Sequence, residues 1–308
     1  MIERARSVSP WLMLLALGTL GGSIADSNPE RRVERRAGYR VLSVDLHTHT
    51  RFSDGFAHPF DVVLAARRAG LDAFALTEHN VVFPGELARW FSNVIGGPTV
   101  VVGEEITTAR HHLIALGLSE RVPSSPRLRD TIAAVHRQNG VAIAAHPVRQ
   151  FWRTFEAVVT ELDGAEVMHP IAYRGGSSPG GWRWPEMVEF YERETARGHV
   201  LTAVGSSDYH FGRMLGLCRT LVFARDASER AIIDALRAHR TVVYDGRGRA
   251  YGDPALAAVL AREPIARPPV PGYEANGRLD AAARVLGWIG LVLWIVVRNP
   301  LRSRTPRG

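Results

Sequence analysis

The chain has 308 residues, enough for one large domain or two of average size. Its hydrophobic and charged fractions, 46% and 22%, are those of an ordinary globular protein and exclude a disordered chain. The net charge is +7 and every cationic side chain is arginine, concentrated at the two ends (Arg31, Arg32, Arg35, Arg36; Arg298, Arg302, Arg304, Arg307). That distribution reads as flanking charge, and with no extended basic-aromatic groove it does not favour nucleic acid. The single cysteine, Cys218, excludes an intrachain disulfide framework and a zinc ribbon.

Residues 1–25 carry Arg4 and Arg6, an apolar run from Trp11 to Leu20, and the small-residue end Gly21-Gly22-Ser23-Ile24-Ala25. This is the pattern of a secretory signal or N-terminal anchor. Residues 26–38 form a polar lead-in, and residues 39–262 read as the folded domain. Residues 263–279 are a Pro/Gly-rich linker. Residues 280–298 read as a transmembrane helix, although the run is short against the ~20 residues a span needs. The basic tail, residues 299–308, would then lie in the cytoplasm, leaving the catalytic domain membrane-anchored and extracytoplasmic.

Between Val41 and Tyr244 short β-branched runs alternate with amphipathic ones. The expected strands are Val41–Asp45, Ala73–Thr77, Val100–Glu105, Val141–Ala145, Gly164–Val167, Val200–Gly205 and Thr241–Tyr244. An extra strand is expected over His112–Leu118, pairing with the one that ends at Glu105. The expected helices are Phe60–Ala69, Arg127–Gln138, Phe155–Leu162, Pro185–Arg197 and Ser228–His239, with Gly70, Gly140 and Gly198 as C-terminal caps. Repeated βα units imply an α/β fold with a largely parallel sheet closed, or nearly closed, into a barrel. The loop Ile171–Trp184 is expected to cover its mouth.

Nearly every expected strand ends in a residue type that can ligate a metal. His47 and His49 follow the first, and two histidines spaced by two on an extended strand point the same way. Asp54 follows in a Ser-Asp-Gly turn. Glu78 and His79 follow the second strand, Glu104 and Glu105 end the third, His146 follows the fourth, and Asp208 and His210 follow the sixth. In a parallel barrel these positions meet at one face.

Taken together, Asp45-Leu46-His47-x-His49, Ser53-Asp54-Gly55, Thr77-Glu78-His79-Asn80, Gly103-Glu104-Glu105-Ile106, His112, Ala145-His146-Pro147 and Gly205-Ser206-Ser207-Asp208-x-His210 resemble the PHP (polymerase and histidinol phosphatase) family. Glu104-Glu105-x-Thr107-Thr108 with the later His112-x-x-x-Leu116-Gly117 is similar to its CehA-like branch. The resemblance implies a distorted (β/α)7 barrel and two or three divalent ions (Zn, Mn or Fe). It implies a first site of His47, His49, Glu105 and Asp208, a second of the bridging Glu105 with His112 and His146, and a third of Asp54, His79 and His210. The family pattern puts the ligand directly before the isoleucine, hence Glu105, with Glu104 turned away and Glu78 orienting a ligand.

The expected function is a metal-dependent phosphoesterase in which a metal-bridging hydroxide attacks a small-molecule phosphate ester. Asp208 and His210 would assist proton transfer, and Arg51 or Arg213 would clamp the phosphate; Arg149 also lies beside a metal motif. Two alternatives stand beside it: an amide, carbamate or ester hydrolase with the same centre, and a non-catalytic membrane-tethered metal-binding module. His111 is expected to point away from His112 on the strand, and His136 and His239 read as surface or capping groups. His58 and His199 have no identifiable partner, and His169 could line the mouth.

Overall fold

The computed structural model describes residues 9–26, 33–170, 185–212, 214–265 and 277–298. The chain divides into two compact units, one built from residues 32–271 and one from the two ends, residues 1–31 and 272–308. The expected loop Ile171–Trp184 and Arg213 lie outside the described residues.

In the large unit, β1 (Arg35–Arg36) and β2 (Tyr39–Asp45) lead into α2 (Pro59–Arg68), β3 (Ala73–Leu76), α3 (Phe83–Ile95), β4 (Thr99–Thr107) and β5 (His112–Leu116). Then come α4 (Leu128–Arg137), β6 (Val141–Ala144), α5 (Arg149–Glu156), β7 (Gly164–Met168), α6 (Pro185–Ala196) and β8 (Thr202–Gly205). The unit finishes with β9 (Thr220–Ala224), α7 (Glu229–Arg237), β10 (Thr241–Tyr244), β11 (Ala250–Gly252) and α8 (Pro254–Arg262).

The sheet runs β11-β10-β9-β2-β3-β4-β5-β6-β7-β8, with β1 paired outside this path to β2. The β2–β3–β4 and β6–β7–β8 pairs are parallel, as expected for βα units. β5 is antiparallel to both neighbours, as are β9 to β2 and β10 to β9. The sheet is thus more mixed than repeated βα units imply. It curls until β8 meets the far strands: Thr241 Oγ1 donates to Ala203 O at 2.9 Å, and Thr220 Oγ1 to Gly205 O at 2.8 Å. These side-chain bonds nearly close the barrel.

Alternate residues along the strands, among them Leu42, Val44, Ala73, Ala75, Ile114, Leu116, Val141, Ile143 and Val222, form one buried layer. Helix α7 packs Ile232, Ile233 and Leu236 onto it, started by Ser228, whose hydroxyl caps Ala231 N. Glu229 reinforces the docking by accepting from Val102 N at 2.7 Å. At α2, Pro59 sits in the first turn and His58 with Asp61 closes a capping box, so His58 has a structural task.

Three expectations are corrected. The run read as a helix over Phe155–Leu162 is helical earlier, as α5, whose buried residues Phe151 and Phe155 are spaced by four. Helix α3 was not expected; its N-cap, Val82, makes no side-chain capping bond, which leaves Pro84 and Glu86 in the first turn as its start signals. Strand β9 was not expected either, because five residues of apolar run carry no period that separates strand from core segment.

In the terminal unit, α1 (Pro10–Asp26) packs against α9 (Gly277–Arg298) backbone to backbone. A Cβ on Gly18 would strike Gly287 N and Cα, and one on Gly290 would strike Leu15 N. Among the described residues no helix is long and apolar enough to cross a membrane, which corrects the expected anchor. The unbroken apolar stretch Val285–Val297 extends only about 20 Å as a helix, against a hydrocarbon core of ~30 Å. The extracytoplasmic placement that rested on this anchor falls with it. The secretory-signal reading finds no support either, since its small-residue end is continuous with α1.

Gly103 has no space for a side chain, since an added Cβ would meet Ala115 O across the β4–β5 ladder and lie 2.9 Å from Leu116 Cδ2. Gly103→Ala is expected to lower unfolding stability by about 1–3 kcal/mol in urea denaturation. An unchanged midpoint would show that the two strands yield at no cost.

Candidate metal centre

His47, His49, Asp54, His79, Glu105, His112, His146, Asp208 and His210 all come to one end of the barrel. β5 explains how His112 joins them. Its antiparallel course puts His112 opposite Thr107, at the end of β4 where Glu105 also lies. Backbone conformation is unusual here: His146, Asp208 and Asn80, which follows His79, hold positive φ of 26°, 44° and 56°. Such strain in non-glycine residues collects at functional sites, where surrounding structure enforces it. Asp45 enforces part of it, accepting from Ser207 N at 3.0 Å and Gly216 N at 2.7 Å and so pinning the loop that carries Asp208 and His210.

The first cluster holds His47, His49, Glu105 and Asp208. His47 Nε2 and His49 Nε2 are 3.0 Å apart. Asp208 Oδ1 lies 3.3 and 3.1 Å from them, and Glu105 Oε2 lies 3.5 Å from each. Ligands of a tetrahedral ion at ordinary Zn–N and Zn–O distances stand roughly 3.4 Å apart, so the spacing suits one cation. Glu105 Oε1 turns to the second cluster, 2.9 Å from His112 Nδ1 and 3.0 Å from His146 Nε2. In the third, Asp54 lies 3.1 Å from His210 Nε2 and 3.3 Å from His79 Nε2, with His49 Nδ1 at 3.9 Å. His49 therefore faces the first and third clusters with its two nitrogens, a double role the sequence did not suggest.

The donor set fits divalent transition ions of the zinc or manganese kind. One buried atom aimed into the centre, His49 Nδ1, has no hydrogen-bond partner among the described residues, and Glu105 Oε2 faces imidazole nitrogens of His47, His49 and His79. Tautomers agree. His47 Nδ1 donates to Glu166 Oε1 at 3.0 Å, and His210 Nδ1 donates to Asp208 O at 2.8 Å. In neutral form both therefore present an Nε2 lone pair to their cluster.

Electrostatics point the same way. Burial alone would lower His47, but the Asp208, Glu166 and Glu105 carboxylates hold it well above its ordinary value. Burial would also lower His79, yet Asp54 and Glu105 hold it up to about 10. Burial would raise Glu105 and Asp208; His47 and the neighbouring imidazoles hold both well below the usual carboxylate range. The buried carboxylates demand positive charge, and protons answer that demand where cations would sit.

Glu104 points away from the cluster. Its Oε1 accepts from Val122 N at 2.5 Å, and burial pushes the carboxyl up to about 7. Glu78 accepts from the hydroxyls of Thr50 and Ser53 and so braces the turn that carries Asp54. Arg51 is exposed, with Nη2 donating to Phe56 O at 3.3 Å. Arg149 is exposed and paired with Glu189 at 3.0 Å. His111 is buried, and burial pulls it down to about 4. His136 pairs with Asp163 at 2.8 Å, and His239 bonds Thr202 Oγ1 at 2.9 Å. His199 lies 3.8 Å from Glu194.

Two residues were missed or undervalued. Glu166, fully buried on β7, supports His47 through Nδ1 and accepts from His146 N at 2.5 Å and from the Ser206 hydroxyl. His169 is buried with Nε2 3.7 Å from Asp208 Oδ2. For His169 the usable signal is its phase, just past the fifth expected strand; Glu166, inside that strand, carries none.

A nearly closed barrel with clustered imidazoles and carboxylates at one rim defines the class as an α/β metal-binding barrel. Residues 45–153 match the model of the PHP domain and residues 192–241 that of the PHP-associated segment. An uncharacterized protein of Methanocaldococcus jannaschii is 29% identical over 141 residues, covering 42% of this chain and 82% of the relative. A two-domain protein from Bacteroides vulgatus, described as containing a predicted PHP-like metal-dependent phosphoesterase, is similar in crystal structure. It is 27% identical with a TM-score of 0.57, over 71% of this chain and 69% of that one.

A histidine whose pKa is raised holds its proton at neutral pH and must give it up to a metal. Metal uptake by the metal-free protein is therefore expected to tighten as pH rises from 6 toward 9 and to release protons. Calorimetry in buffers of different ionisation enthalpy reads this directly, and pH-independent affinity would contradict it.

Glu166→Gln keeps the shape but gives up the charged acceptor behind His47. Metal affinity is expected to fall about 10–100-fold, with the circular dichroism spectrum unchanged. Native affinity in this variant would reduce Glu166 to a packing role.

Proposed function

We propose that the protein is a metal-dependent hydrolase acting on phosphate monoesters of small molecules. The observation that carries this reading is the division of Glu105, whose two oxygens face two separate imidazole sets within 3.5 Å. A carboxylate so placed can hold two cations side by side. The similarity to the Bacteroides vulgatus protein supports phosphorus as the centre attacked. Within the family we assign the chain to the CehA-like branch on the Glu104-Glu105-x-Thr107-Thr108 and His112-x-x-x-Leu116-Gly117 patterns of the sequence.

His47, His49, Glu105 and Asp208 would hold one ion, Glu105, His112 and His146 a second, and Asp54, His79 and His210 a third. Bound divalent ions supply Lewis acidity toward the phosphate oxygens and activate water near neutral pH. The chain's own residues do the rest. Glu166 and the Asp208 carbonyl fix the rings of His47 and His210, so neither must turn during turnover. Buried His169, beside Asp208 and outside the three ligand sets, is placed to hold a proton at Nε2 and pass it to the departing alcohol. Arg51, exposed on the Asp54 turn, is free to meet the phosphate from solvent, and Arg213 is proposed for the same task.

His47→Ala or Asp208→Ala is expected to lower turnover by at least a thousandfold while the fold persists. The check is a panel of a phosphate monoester, a phosphodiester and an aryl carbamate, each with and without added Mn or Zn. Turnover confined to the carbamate would replace the phosphoester reading with a carbonyl one. Full activity after chelation would overturn both.

A further inference from the structure

Four phenylalanines of the barrel unit are strongly exposed: Phe52 (44%), Phe56 (73%), Phe83 (54%) and Phe211 (56%). Each lies within four residues of a member of the third cluster. Phe52 and Phe56 flank Asp54, Phe83 follows His79, and Phe211 follows His210. They are arranged in two edge-to-face pairs. Phe52 and Phe83 have ring centroids 5.4 Å apart at 88°, and Phe56 and Phe211 are 5.8 Å apart at 82°.

The backbone holds these rings at the site. Phe56 N donates to His210 O at 2.9 Å, and Arg51 N donates to Ala57 O at 2.8 Å. The turn is also packed hard against a ligand: a Cβ on Gly55 would lie 2.8 Å from the carbonyl carbon and oxygen of His49. Exposed aromatic surface is costly in water, and a concentration of it marks a surface built to be covered. At the second cluster the corresponding ring, Phe151, is buried and stacked on His112 at 5.4 Å. Among the described residues, the apolar rim therefore belongs to the Asp54–His79–His210 end.

We propose that these two phenylalanine pairs form the subsite for an aromatic group on the substrate, so that the protein prefers phosphate monoesters whose alcohol carries a planar apolar ring. This rests on the phosphoester reading above and narrows it. In the net reaction, water oxygen forms a bond to phosphorus, and the bond from phosphorus to the alcohol oxygen breaks. The bonding pair stays with that oxygen, which takes a proton and leaves between the rings. The rings hold the leaving group by edge-to-face contact, while the charged end stays at the cluster.

The experiment compares 2-phenylethyl phosphate with ethyl phosphate, whose leaving groups have similar intrinsic reactivity, on the full chain supplied with Mn or Zn. The expected kcat/KM ratio is about tenfold or more in favour of the aromatic ester. Phe56→Ala with Phe211→Ala should bring that ratio toward one; side chains this exposed are removed without disturbing a core. Calorimetric binding of phenylphosphonate against methylphosphonate gives a readout independent of turnover, with the same preference expected.

Aromatic preference in binding without turnover of any phosphate ester would sink the phosphoester reading and keep the subsite. Turnover of both esters at equal kcat/KM, or a preference that survives the double substitution, would overturn the subsite and leave the phosphoester reading standing. Equal or undetectable binding of phenylphosphonate would also overturn it, as would concentration-dependent self-association that the double substitution abolishes.

Discussion

A single buried carboxylate, that of Glu105, holds the centre together. One oxygen meets His112 and His146; the other meets His47, His49 and, at 2.8 Å, His79 Nδ1. With the carboxylates of Asp208 and Glu166 close by, this is more negative charge than a barrel interior tolerates alone. The protein compensates with imidazoles held in the protonated form or with cations. Stability and metal uptake are thus two readings of one charge balance.

The fold serves that balance by bringing distant strand ends together. α7 plugs one end of the barrel with apolar side chains, leaving the other end to polar groups. The tight reversal from β4 into β5 starts β5 at the rim itself, opposite Thr107, which lets His112 and Glu105 share a corner. Positive φ at His146 and Asp208 turns two side chains inward that a regular strand exit would aim elsewhere. The barrel supplies the energy that holds these conformations.

Much of the rim was legible because ligation leaves a signature in phase with the strands. His47 and His49, His79, Glu105, His146 and Asp208 all stand at or just past apolar runs, and that coincidence does not depend on tertiary detail. Supporting groups leave no such mark. Glu166 reads as an ordinary polar residue in a strand, and its importance appears only when the curled sheet brings its carboxylate to His47 Nδ1. The shared role of His49 was hidden because sequence spacing assigns a residue, not each of its two nitrogens. Strand β9 escaped for a related reason: a short apolar run becomes a strand only through pairing with β2 and β10. The terminal apolar runs misled because composition suggested a span, while among the described residues no helix is long and apolar enough for one.

The most direct measurement is anomalous diffraction from crystals of the protein incubated with Mn or Zn. The expected result is an ion peak on each side of Glu105, one among His47, His49 and Asp208 and one beside His112 and His146. Peaks only at surface sites, with Glu105 still hydrogen-bonded to protonated histidines, would contradict the central role given to this carboxylate.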